Sequence, residues 1–371
     1  MKLCYIADAN SIYTQRWMAP LIERGDIVHF LSFTPVEHPI TGIELVDLTR
    51  ITNVRKLRFA YWGWWIGRYV RHIRPDVLHA HSLVGGGWLG VMANYHPFVV
   101  SGWGSDLLIE PQKSALRRFL LSVVLRRCDR LTVPSQLMCD AARALGVPDM
   151  RLRLIPGGIE TDVFQPTPND CASTRKQFGI EPDAKVVLSA RGVAAIYNLD
   201  IVLEAINAIK TQVTKLQLVL IRFHADPDYL AKLECTVAAY GLGEIVHWLP
   251  PQQTASEMAR LYRMSDVVIS IPSSEGYGFT VYEAMATGCP TLISDLPVFK
   301  DELVDGIHTI KVPVRDATRT SQALIDVLTD QDLGRKLRRN ALKVCQGKSV
   351  RKRIEQTDAL YRDLVKIPCG V

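Results

Sequence analysis

No stretch of this 371-residue sequence approaches the roughly 20 consecutive apolar residues that a membrane-spanning helix requires. The nearest, FAYWGWWIG from Phe59, is short and flanked by arginines, so any membrane contact is expected to be peripheral. The eight cysteines (Cys4, Cys128, Cys139, Cys171, Cys235, Cys289, Cys345, Cys369) lack the paired short spacing of zinc sites or redox motifs. A reducing, cytoplasmic setting follows as the expectation. No internal repeat and no low-complexity tract is present, which excludes a solenoid and argues against disorder. Acidic and basic residues nearly balance, 44 Lys+Arg against 38 Asp+Glu, and no nucleic-acid partner is expected. The small positive excess sits early, with 19 Lys+Arg against 14 Asp+Glu in residues 1–166. The opening MKLCYIADAN has one basic residue and a short apolar run, so it reads as a first strand rather than a signal peptide, with the mature chain starting at Met1.

What is present is alternation. Strand-like runs (KLCYIAD, DIVHFLSF, DVLHAH, PFVVSGW, RLTVPS, LRLIPGG) alternate with helix-like segments near 15–24, 55–73, 115–127 and 137–145. Strands that alternate with helices imply parallel pairing, because each crossover helix packs back on the sheet. IPGGIETDVFQPTPND, rich in Gly and Pro, reads as a linker, and the pattern then restarts with KVVLSA, LQLVLI, IVHWL, DVVISI and PTLIS between helices. The expected architecture is α/β: two doubly wound domains, residues 1–166 and 167–350, facing a central cleft, with a helical tail at 351–371 that packs back on the first domain.

The densest chemical signal is VVISIPSSEGYGFTVYEAMATGCPTLISD, residues 267–295, a buried strand running through a Gly-containing turn into a helix. Free N–H groups and the helix dipole at such a turn favour a diphosphate. Glu275 precedes the turn and Glu283 lies on the first turns of the helix, so both carboxylates can face the mouth of the turn and accept hydrogen bonds from sugar diols. On residues alone, Glu283 is equally a first-turn glutamate favoured by the dipole, and Glu275 a cap-region residue. Arg191 follows KVVLSA, where a cation at the carboxyl end of a strand is well placed for phosphate.

This block resembles the signature of the retaining family 4 glycosyltransferases of GT-B fold, in which Glu, seven residues and Glu are followed by Ala-Met-Ala-x-Gly-x-Pro. Further similar segments are DANSIYTQRWMAPLIERG, PDVLHAH, PFVVSGWGSD, IPGGIETDVFQP and SARGVAAIYNLDIVLEAI. The resemblance implies a nucleotide-sugar donor, UDP- or GDP-linked, no further cofactor and no bound metal. It assigns Glu283 to the ribose, Glu275 to the transferred sugar, the backbone N–H groups of Gly276, Tyr277, Gly278 and Phe279 to sugar and phosphate, and Arg191 to phosphate. It also implies retention, with the departing phosphate accepting the proton of the acceptor.

Three departures stand out. Tyr197-Asn198 replaces the commoner Lys-Gly, a form that a subset of the family shares; both are carried as donor-binding candidates. Trp103 stands where many members have His, with Asp106 as a second candidate in the N-terminal domain. Arg222 and His224 stand where Gly-x-Gly is usual, and Arg222 is the candidate to replace the missing lysine.

Weaker matches are set aside. Gly85, Gly87 and Gly90 fit G-x-G-x-x-G, but after a later strand than a dinucleotide fingerprint needs. Asp226-Pro-Asp228 reads as a turn into a helix rather than a metal site, and His79 and His81 as packed residues without the cluster that completes a metal site. The acceptor is expected to be a glycan, a lipid-linked sugar or a small molecule. Residues 55–74, with Tyr61, Trp62, Trp64 and Trp65 among arginines, suit an anionic membrane surface as well as an ordinary packed helix. The rival readings are a nucleotide-sugar epimerase or phosphorylase on a related fold, and a catalytically silent sugar-nucleotide-binding subunit.

Overall fold

The computed structural model describes residues 1–37, 39–52, 58–167, 170–252 and 254–366. The chain divides into two compact units: Met1–Pro156 joined by the chain from Arg353 onward, and Gly157–Lys352.

In the first unit, strands β1 (Lys2–Ala7), β2 (Ile27–Ser32), β3 (Glu44–Asp47), β4 (Val77–His81), β5 (Phe98–Ser101), β6 (Arg130–Val133) and β7 (Leu152–Leu154) form one sheet in the order β3-β2-β1-β4-β5-β6-β7. All its pairings are parallel. The central strands β1, β4 and β5 are buried on both faces because helices cover both, which is why β1 and β5 read as hydrophobic runs rather than alternating ones. In the second unit, β8 (Lys185–Ser189), β9 (Leu216–Ile221), β10 (Val246–Leu249), β11 (Val267–Ser270), β12 (Thr291–Ser294) and β13 (Ile310–Val312) run in the order β10-β9-β8-β11-β12-β13, again all parallel. Winding reverses between β1 and β4 in one sheet and between β8 and β11 in the other. Each reversal leaves the turns after the two flanking strands splayed apart, the place where open α/β sheets take ligands.

The structure corrects several boundaries. The first segment of the first unit runs to Pro156, so GGIETDVF, from Gly157, belongs to the second unit. There, Ile159 bridges to Ser349, with Ile159 N donating to Lys348 O at 2.7 Å and Val350 N to Ile159 O at 3.0 Å. The tail is three helices, Ala317–Thr329, Gln331–Cys345 and Val350–Lys366; the last runs into the first unit, where the Tyr361 hydroxyl meets Tyr5 Oη at 2.7 Å. The glycines of the G-x-G-x-x-G string serve packing: a Cβ on Gly90 would lie 2.3 Å from the Phe98 ring and one on Gly87 2.9 Å from Val124. Gly90 lets the helix Gly87–Ala93 sit close on β5, and Gly87 lets it sit close on the helix Ala115–Arg127. Asp226 caps its helix, Oδ1 accepting from Tyr229 N at 2.9 Å, as a turn residue does.

Candidate functional site

The reversal point of the second sheet gathers the turn after β8 and the turn after β11. Gly278 closes the latter at φ +94°, and a Cβ on it would sit 2.6 Å from the Phe299 ring, so only glycine fits. The helix Phe279–Ala286 starts directly after it. Tyr277 and Phe279 send their side chains away from the turn's mouth: the Tyr277 hydroxyl donates to Gly157 O at 2.6 Å, and the Phe279 ring packs against Gly157, where a Cβ would meet it at 2.3 Å.

Glu275 folds back into its own turn. Its Oε1 accepts from Gly276 N at 3.0 Å and Tyr277 N at 3.4 Å, while Arg191 Nη2 stands 2.9 Å from Oε2. Oε2 is buried and makes no aligned hydrogen bond among the described residues, so the guanidinium holds it as an ion pair only. Two of the N–H groups assigned to the donor are therefore taken by Glu275: a carboxylate sits in a seat of N–H groups and guanidinium that suits a phosphate oxygen equally well. Arg191 also donates from Nη1 to Thr280 Oγ1 at 3.3 Å and lies over the Tyr197 ring, 4.5 Å from its centroid. Thr280 is a partner that sequence reasoning missed, although it lies within the signature block.

Asn198 and Arg222 have protein partners of their own. Asn198 is fully buried, in the left-handed region at φ +52°, and its Nδ2 donates to Ile271 O at 2.8 Å and Ser273 Oγ at 3.0 Å. Its Oδ1 accepts from Arg315 Nη1 at 2.9 Å, leaving Arg315 Nη2 to pair with Asp200 at 2.8 Å. Asn198 thus stitches the turn after β8 to the turn after β11. Its backbone conformation explains why glycine is usual there and why asparagine, which tolerates φ > 0, replaces it. Arg222 pairs with Glu234 at 2.7 Å, both about half exposed, and lies over Trp248 at 5.4 Å. In this arrangement it is a surface ion pair directed at Glu234.

Glu283 is 5% exposed on the helix Phe279–Ala286, with the Tyr262 hydroxyl donating to its Oε2 at 3.2 Å. Tyr262 comes from the helix Ala255–Met264, a long-range partner with no local signal in the sequence.

In the first unit, Asp106 is 3% exposed and spends its carboxylate on backbone N–H groups of Leu83, Trp103 and Gly104 at 3.0–3.3 Å. Burial raises its pKa against those hydrogen bonds, which join two turns at the sheet edge. Trp103 is half-buried, edge-on to Trp17 at 6.0 Å and to His81 at 5.3 Å. Burial holds His79 well below the ordinary imidazole range, and its ring nitrogens face Tyr361 Oη and Ser101 Oγ. His81, at the end of β4, is pulled down to about 3 by burial and then by the charge of Arg353. Neither of its ring nitrogens has a hydrogen-bond partner among the described residues. No group of three or more His, Cys, Asp or Glu side chains that could hold a metal occurs among the described residues.

Of residues 55–74, the first three lie outside the described residues. In the helix Arg58–Ile73, Trp62 is buried and Trp65 stacks on Tyr69 at 4.9 Å, so half of the four aromatics serve the fold. Tyr61 and Trp64 stay exposed at 40% and 57%, with Arg68 over Trp64. No helix among the described residues is long and apolar enough to cross a membrane.

Residues 171–344 match the family described as "Glycosyl transferases group 1", and residues 2–135 the family described as "Glycosyl transferase 4-like". Curated relatives include D-inositol 3-phosphate glycosyltransferase 1 of Catenulispora acidiphila, 26% identical over 66% of this chain, and the D-inositol 3-phosphate glycosyltransferase of Mycobacteroides abscessus, 26% identical over 70%. The chain spans 60% of the length of each. Among solved structures, Anabaena HepE in complex with UDP and glucose aligns with TM-score 0.81 at 16% identity, covering 98% of this chain and 100% of that one. Sucrose-phosphate synthase from Thermosynechococcus elongatus aligns with TM-score 0.81 at 20% identity, covering 98% and 99%. The fold is the GT-B arrangement of two Rossmann-like domains.

Proposed function

Because the chain pairs a glycosyl transferase 4-like domain with a glycosyl transferases group 1 domain on a GT-B fold, we propose that it is a retaining, metal-independent glycosyltransferase. It moves a sugar from a nucleotide diphosphate donor, held by the second unit, to a glycan, lipid-linked or small-molecule acceptor taken by the first, at the cytoplasmic face of a membrane. One observation carries the reading: at the reversal point of the second sheet, Arg191 and the N–H groups of Gly276 and Tyr277 already surround an anion, the Glu275 carboxylate. A donor's diphosphate suits the same groups. Breaking the bond between the anomeric carbon and oxygen leaves negative charge on that diphosphate, and fixed donors aimed at it lower the barrier without a separate acid. Glu275 displaced from its seat is free to take hydroxyls of the transferred sugar, and Glu283 those of the ribose. The name of the curated relatives and the UDP in the HepE complex favour a phosphorylated polyol or sugar acceptor and a UDP-linked donor as first choices to try.

The test is thermal-shift screening of UDP- and GDP-sugars, followed by transfer assays with the stabilising donor and NMR of the product anomer. A ligand at about 100 times its Kd adds about 2.7 kcal/mol of stability. Stabilisation by one donor and a product of unchanged anomeric configuration support the proposal. Absence of stabilisation by every donor, or an inverted product, overturns it.

A further inference from the structure

Tyr197 replaces a cation with a ring, and the ring carries a cation. The Arg191 guanidinium lies 4.5 Å from its centroid, while the edge of the same guanidinium reaches Glu275 and Thr280. These contacts use different parts of the group: its central carbon lies over the tyrosine ring, and its N–H groups reach oxygens. A guanidinium has five N–H donors in one plane, so it can change its oxygen partners without leaving the ring. The partner it now holds is easily exchanged, since Glu275 Oε2 makes no aligned hydrogen bond and the pair rests on charge alone. The backbone on either side of Tyr197 is in turn tied to the segment that leads into the Glu275 turn. The neighbouring Asn198, fully buried, ties the two turns through Ile271 O and Ser273 Oγ, and Ser273 N donates to Ile196 O at 2.8 Å.

We propose that Tyr197 is a positioning residue for Arg191: its ring holds the guanidinium in place as the guanidinium passes from Glu275 to the diphosphate of the donor. Tyr197 therefore takes over the lysine's place without taking its contact to phosphate. A lysine here would repel Arg191 at short range, whereas the ring attracts it, so the site works with one cation held firmly instead of two held loosely. This inference rests on the nucleotide-donor reading above.

The experiment is calorimetric titration of the full chain with UDP, uridine, GDP and guanosine, for the wild type, Tyr197→Phe, Tyr197→Leu, Arg191→Ala and Arg222→Ala. Phe keeps the ring and is expected to bind as the wild type does. Leu is expected to lose about 2- to 30-fold in nucleoside diphosphate affinity, the range of a cation–ring contact, with nucleoside affinity and melting temperature unchanged. Arg191→Ala lowers diphosphate affinity alone, and Arg222→Ala lowers neither. If Tyr197→Leu matches the wild type, or weakens nucleoside and diphosphate equally, the positioning role is wrong. If Arg191→Ala still loses diphosphate affinity in that case, the donor reading stands by itself. A wild type that binds neither diphosphate overturns both.

Discussion

Glu275 and Glu283 end in different surroundings although they share one motif: the first lies in the turn against Arg191, and the second is buried on the helix against the Tyr262 hydroxyl. Glu275→Gln is therefore expected to lower kcat far more than donor affinity, because in the proposed reading Glu275 meets the reacting sugar, and the substitution frees Arg191 of its counter-charge. Glu283→Gln is expected mainly to weaken the nucleotide. Steady-state kinetics with equilibrium titration separates the two, and equal effects on both constants count against this division. That Arg191 and the acidic turn come to one place was legible, since the turns after two neighbouring central strands meet where the winding reverses, whereas their ion pair was not. The directions of Arg222 and Asn198 were not legible. Both follow from partners far along the chain, Glu234 and Ser273, and nothing in the local pattern states that asparagine turns inward or arginine outward.

Elements were legible where packing and local preference agreed. The helix Ala115–Arg127 matched its sequence pattern residue for residue, with Ser114 capping the N–H of Arg117. The edge strands β3 and β13 escaped notice because they are short and only partly buried. The turn at Gly278 makes an element-scale prediction. Gly278→Ala forces an alanine to φ +94° against the Phe299 ring and should cost the second unit about 2–4 kcal/mol. Gly334→Ala, inside the helix Gln331–Cys345 with nothing near its Cβ, should instead stabilise by about 1 kcal/mol. Urea unfolding of the two variants measures both signs. The exposed face of the helix Arg58–Ile73 should bind anionic vesicles through Tyr61, Trp64 and its arginines. Tyr61→Ala with Trp64→Ala should weaken co-sedimentation, and salt should weaken it further. Binding that ignores both changes assigns the aromatics to the fold alone.

At the scale of the molecule, the buried histidines of the first unit set its response to acid. His81 is neutral in the fold with a pKa of about 3, while in the unfolded chain it titrates near 6.5. The unfolded state therefore binds the extra proton between those values, and stability that is complete above pH 6.5 falls as the pH drops through that window. The slope is about 1.4 kcal/mol per pH unit for each such histidine. His81→Phe, which removes the titration and no hydrogen bond, should flatten the urea-unfolding profile between pH 6.5 and 5 by about that slope. An unchanged profile shows that His81 does not control it. The bridge between Ile159 and Ser349 carries a separate consequence. It brings the two ends of the second unit together, so that unit is an insertion within the first, entered and left at one place. During synthesis the ribosome must finish the whole insertion before the Tyr361 hydroxyl can reach Tyr5. The unit begun first is thus completed last, and it waits for a segment that only an already translated second unit can deliver.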